Sequence, residues 1–217
     1  MAERVPGSGR EQLGRVGDAE GLARRFAARL AGSDGLRRAL EAWALARDTL
    51  EGTMTAQAVP EGACHKGCAW CCNFHVEVRF ADAVHLARRA RAVPALEAKV
   101  RATALRVGGL DPVARLRLGV PCAFLDPASG ACSVYEDRPI PCRAYRSHDA
   151  DWCRSLVGTS AQRLERNAAV KEGLAIRSLV TQAMAAVTPA PWRERGELHR
   201  MVVTILDRIP AGGTGRD

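Results

Sequence analysis

At 217 residues the chain is long enough for one ordinary domain, and its 47% hydrophobic and 26% charged content is that of a soluble globular protein. No stretch approaches the roughly 18–20 apolar residues of a membrane span. The opening Met1–Arg10 lacks the apolar run of a cleaved secretory signal, so a cytoplasmic location is expected. The net charge is +8, carried almost wholly by arginine, since only Lys66, Lys99 and Lys171 are lysine. Such a balance fits an acidic partner such as nucleic acid, or arginine-rich coding with basic residues spread over solvated helix faces; the second reading is preferred.

Residues 1–17 are Gly- and Arg-rich without periodicity and read as a flexible tail, leaving 18–217 as a single domain. Leu22, Phe26 and Leu30 recur at helical spacing from Asp18, and Gly32 ends that helix. Ser33 or Asp34 can cap a second helix bearing Leu36, Leu40, Trp43 and Leu50, so the two read as a helical hairpin. Gly52–Gly62 breaks the pattern. A short extended run at Phe74–Val78 precedes a helix from Phe80 to about Val93, and Leu96–Val107 and Pro112–Leu118 supply two more. Pro121–Leu125 and Ala131–Tyr135 are β-prone runs joined by Asp126-Pro127-Ala128-Ser129-Gly130, which predicts one small hairpin. Helix returns from about Ser160 to Val187. The last helix shows the cleanest periodicity, with Leu198, Met201, Val202, Ile205 and Ile209 on one face. The predicted fold is mainly α, with helices flanking an irregular cysteine-rich metal-binding centre, residues 62–153, that contains the hairpin.

All eight cysteines fall inside that centre: Cys64, Cys68, Cys71 and Cys72 within nine residues, then Cys122, Cys132, Cys142 and Cys153. In a reducing compartment such thiols point to metal or cluster ligation rather than disulfides. Soft sulfur donors suit zinc or iron, the latter also as an iron–sulfur cluster. Gly67 permits a tight turn before Cys68. Neighbouring side chains diverge, so Cys71 and Cys72 are not expected to share one ion easily, and how the eight divide remains open. Lys66, Arg138, Arg143 and Arg146 lie within four residues of a cysteine and are expected to favour ionised thiols. His65, His75 and His148 are secondary ligand candidates. The spacing Cys64-x3-Cys68-x2-Cys71 also occurs in radical S-adenosylmethionine enzymes, but the βα alternation of their barrel is missing.

In order, Cys64-x3-Cys68-x2-Cys71-Cys72, Pro121-Cys122-Ala123-Phe124-Leu125, Gly130-Ala131-Cys132-Ser133-Val134-Tyr135 and Arg138-Pro139-x2-Cys142-Arg143-x-Tyr145 resemble the YkgJ-type cysteine-cluster proteins. Their shared unit is the zinc- or iron-chelating CxxCxxCC domain. The resemblance implies metal ligation by Cys64, Cys68, Cys71, Cys72, Cys122, Cys132 and Cys142, with Cys153 outside the best-defined motif. The first gap here is three residues rather than the two in the family's name. A similar cluster in flagellin lysine N-methylase implies, as an alternative, iron–sulfur-dependent electron or methyl transfer.

The expected function is therefore a cytoplasmic metal- or cluster-binding protein, with an iron–sulfur enzyme second and a nucleic-acid-binding protein braced by metal third. No Ser/His/Asp arrangement, phosphate loop or nucleotide fingerprint supports a conventional hydrolase or kinase.

Overall fold

The computed structural model describes residues 18–65, 67–158 and 168–208. The expected tail at 1–17, Lys66, the expected helical residues 160–167 and Ile209 lie outside the described residues. Among those described are nine α-helices: α1 (Ala19–Arg29), α2 (Gly35–Ala56), α3 (Phe80–Arg91), α4 (Pro94–Val107), α5 (Pro112–Leu118), α6 (Ile140–Ala144), α7 (Ala150–Leu156), α8 (Lys171–Val187) and α9 (Leu198–Arg208). The fold is mainly α, as the periodicity predicts. None of these helices is long and apolar enough to cross a membrane.

Asp18 caps α1, its carboxylate accepting the Gly21 amide at 2.6 Å. Asp111 caps α5 in the same way, taking the Val113 and Ala114 amides. α2 runs through the expected break at Gly52. A single exposed glycine weakens a helix by about 1 kcal/mol relative to alanine, and continuing the helix buries Met54. The expected α1–α2 hairpin does not form as such, because both helices pack chiefly against α8.

Two apolar clusters result. One joins Leu22 and Phe26 of α1, Trp43 and Leu50 of α2, Ile140 and Ala144 of α6, and Ile176, Val180 and Met184 of α8. The other gathers Phe80, Val84 and Leu86 of α3, Val100 of α4, Phe124, and Leu198, Val202 and Ile205 of α9. α2 touches both, since Leu36 and Leu40 pack on the second cluster. Glu97 accepts from Arg91 and Arg101, and Arg101 also reaches Asp207, which ties α4 to α9 through charge.

The small sheet is not where the turn chemistry put it. β1 (Glu77–Arg79) pairs antiparallel with β2 (Arg195–Glu197), Val78 opposite Gly196. Between Cys122 and Tyr135 the expected hairpin is reduced to one antiparallel bridge, Leu125 with Cys132. Its turn forms as expected, with Asp126 accepting the Ala128 and Ser129 amides. The ladder stops because the Cys122 amide donates at 2.9 Å to the Cys72 carbonyl, outside the hairpin. On the other side the chain turns into a 3-10 segment at Tyr135–Asp137.

Candidate metal centre

Three separated stretches of chain meet around one cavity of about 710 Å³, lined by Cys64, Cys68, Cys71, Cys72, Cys122, Cys132 and Cys142. Cys64 is held by the Ser147 segment: the Ala63 amide donates to the Ser147 carbonyl at 2.7 Å, and the Ser147 amide donates to the Cys64 Sγ at 3.3 Å. That approach requires Gly62, whose φ is +67° and whose Cβ, if it had one, would lie 2.2 Å from the Ser147 oxygen. Gly67 turns the chain before Cys68 with φ of +89°, and lies against Gly130, where an added Cβ would come 3.1 Å from the Gly67 oxygen. Cys71 and Cys72 occupy a 3-10 turn, Trp70–Asn73. Cys122 is joined to that turn by its amide, Cys132 lies across from Leu125, and Cys142 sits on α6.

Cys153, on α7, does not line the cavity. It is buried, with its Sγ 3.9 Å from the Tyr145 hydroxyl, and the Tyr145 side chain itself lines the cavity. Of the candidate histidines only His65 lines it; His148 is exposed, and the buried Nδ1 of His75 has no hydrogen-bond partner. None of the eight cysteines is in a disulfide.

Cys71 is the thiol common to the group. Cys72 acts on it most strongly, and Cys64, Cys132, Cys142 and Cys153 each interact electrostatically with it. The vicinal pair shares the 3-10 turn Trp70–Asn73, where each thiol is a near neighbour of the other in charge terms. The expectation of ionised thiols is corrected. Burial pushes the Cys122 thiol up to about 11. Burial and then repulsion from Cys122, Cys71 and Cys132 hold Cys142 well above the usual thiol range. Arg138 pulls Cys71, Cys132 and Cys142 down, and Arg146 does so for Cys64, but both are outweighed. Arg143 is otherwise engaged, pairing with Glu51 and donating to the Arg138 carbonyl.

These observations bear on whether a metal fits. Soft donors line the cavity, and burial, with repulsion among several of them, raises the thiols of Cys64, Cys122, Cys132 and Cys142; a bound cation supplies the positive charge they lack. The donor chemistry fits zinc or iron. Among the described residues, however, no three His, Cys, Asp or Glu side chains form a ready-made ion site. The thiols surround a space larger than one ion.

Two further lining residues, beside Cys122, have no motif in the sequence. Glu197, at the end of β2, and His199, in the first turn of α9, are both buried and both line the cavity. The Ala123 amide donates to His199 Nε2 at 3.1 Å, so the ring's proton is on Nδ1, 2.8 Å from Glu197 Oε1. Burial pushes the Glu197 carboxyl up, but hydrogen bonds from His199 and the Arg200 amide outweigh it and hold the carboxyl below its usual range. Both ring nitrogens are used, so His199 fixes the Cys122–Ala123 peptide rather than offering a ligand nitrogen. Only the pairing of β2 with β1 reveals this, and nothing in Arg195-Gly196-Glu197 signals a strand.

Residues 63–168 match the model of the CxxCxxCC family, described as a putative zinc- or iron-chelating domain, the family that the ordered cysteine motifs resemble. Neither the curated proteins nor the solved structures contain a match to the chain.

Proposed function

Taking the CxxCxxCC match of residues 63–168 as premise, we propose that this is a cytoplasmic metal-binding protein holding zinc or iron at one composite thiolate centre. Cys64, Cys68, Cys71, Cys72, Cys122, Cys132 and Cys142 are its ligand set, while Cys153, which does not line the cavity, contacts the Tyr145 hydroxyl. The observation that carries this reading is the convergence of seven thiols, from three stretches of chain, on one cavity. The chain's own residues contribute position: Ser147 aims Cys64, the Cys72 carbonyl anchors Cys122, and His199 holds the following peptide.

A second reading, an iron–sulfur enzyme of electron or methyl transfer, is favoured by the size of the cavity. Its roughly 710 Å³ lies within the range of about 300–1,000 Å³ common for small-molecule sites, and Phe74, Val76, Phe124 and Leu198 give it an apolar side. A zinc ion would brace the fold, whereas an iron–sulfur cluster would supply one-electron chemistry.

Anaerobic purification followed by elemental analysis and a visible spectrum tests both. Zinc in colourless protein supports the binding reading and removes the enzyme reading. A brown protein that bleaches on reduction supports the cluster. Absence of both zinc and iron from freshly purified protein would contradict the metal centre altogether.

A further inference from the structure

Behind the cavity wall, α5 buries an arginine completely. The Arg115 side chain is 0% exposed. One nitrogen, Nη1, donates to the Val120 carbonyl, but among the described residues Nε and Nη2 have no hydrogen-bond partner and no carboxylate pairs with the guanidinium. A buried guanidinium in this state is unfavourable, because desolvation is offset by neither a paired charge nor a full set of hydrogen bonds. The nearby carboxylate, Glu197, is engaged by His199 and the Arg200 amide.

The anchor point is informative. Val120 is two residues before Cys122, whose amide is bonded to the Cys72 carbonyl. Arg115 therefore grips the run of chain that leads into Cys122. Burial lowers its pKa, and the charges that act the other way are Glu197, Cys122 and Cys72.

We propose that Arg115 is the buried counter-cation of the thiolate centre, a positioning residue that balances the negative charge of Cys72 and Cys122 once they are bound to metal. The inference rests on the metal reading above. Metal-bound cysteines are thiolates, and several of them around one divalent ion leave net negative charge inside the protein. A permanently charged guanidinium beside them needs no proton and no movement to neutralise it.

The test uses the full chain, zinc as the probe, and the variants R115K and R115M. Zinc affinity is read by competition with a chromophoric chelator, and thermal melting is followed with and without zinc. R115K keeps the charge and should bind within about threefold of wild type, while R115M should lose about 10–100-fold, the usual range for a residue supporting metal ligands. Zinc-free R115M should melt no lower than zinc-free wild type, because it lacks the unpaired charge. Two results overturn the proposal: R115M binding zinc as tightly as wild type, or R115K failing as badly as R115M. An R115M that melts lower by the same amount with and without zinc also overturns it, by showing a simple brace for Val120. If R115M does not fold, R115K decides alone, since loss of affinity with the charge retained refutes the counter-cation. A wild-type chain that binds no metal removes the parent reading instead.

Discussion

At the scale of single residues, the environment reverses what sequence neighbours suggest. Arg138 and Arg146 lie within four residues of Cys142 in the chain, yet the thiols of Cys142 and Cys64 lie above their usual range because burial, with repulsion from other thiols, outweighs the guanidinium charges. Arg115 and Glu197 carry no motif and could not be selected from sequence; their significance comes from burial, which no pattern of types reports. His85 offers a cleaner titration, away from the cysteines. Its ring is tilted against Trp43 with centroids 4.0 Å apart, and its buried Nε2 has no hydrogen-bond partner among the described residues. Burial lowers its pKa from 6.5 to about 4, Arg88, Arg47 and Arg89 add to that, and Asp137 opposes it. Between those values the unfolded chain takes up a proton that the folded chain refuses. Stability is then full above about pH 6.5 and is lost as pH falls toward 4. The full shift corresponds to about 3 kcal/mol, and partial solvent screening makes about 1–3 kcal/mol the expectation. H85F should narrow the gap between denaturant midpoints at pH 7 and pH 4.5; an unchanged gap would place the acid sensitivity elsewhere.

Among the elements, long periodic helices were legible and short ones set by tertiary contacts were not. α9 shows its buried face directly in Leu198, Met201, Val202 and Ile205. α6 is only five residues, Ile140–Ala144, and follows a proline-rich run that reads as irregular. It exists because Asp82 of α3 receives the Ile140 amide at 2.9 Å, together with Trp43 Nε1 at 2.6 Å and the Arg79 amide at 3.1 Å. One buried carboxylate thus couples α2, α3 and the helix that carries Cys142. D82A leaves three donors unpaired and should lower stability by about 3 kcal/mol or more. Amide exchange should also quicken at 140–144. D82N should be milder, because Oδ1, which takes both the Trp43 and Ile140 bonds, is retained. Equal losses for the two variants in chemical denaturation would show that the carboxylate charge, not the acceptor, is what matters.

For the molecule as a whole, the cavity lies between two apolar clusters rather than inside either. Cys122 and Cys132 pack against one, while Cys142 sits on α6, whose Ile140 and Ala144 belong to the other. A structural metal contributes roughly 10–16 kcal/mol in small finger peptides, against about 5–15 kcal/mol for the stability of whole domains. Removing metal with a chelator under reducing conditions should therefore speed hydrogen exchange across 62–158, while the α1–α8 packing remains the better protected part. Protection that is unchanged by the chelator would mean the clusters hold the centre without help. Placing the last three cavity residues, Glu197, Leu198 and His199, far along the chain also imposes an order in time. At about 5–20 residues per second, synthesis separates Cys72 from Glu197 by about 6–25 s. Throughout that interval the first four thiols are outside any finished site, so a nascent chain needs either early metal or protection from oxidation before the final helix docks.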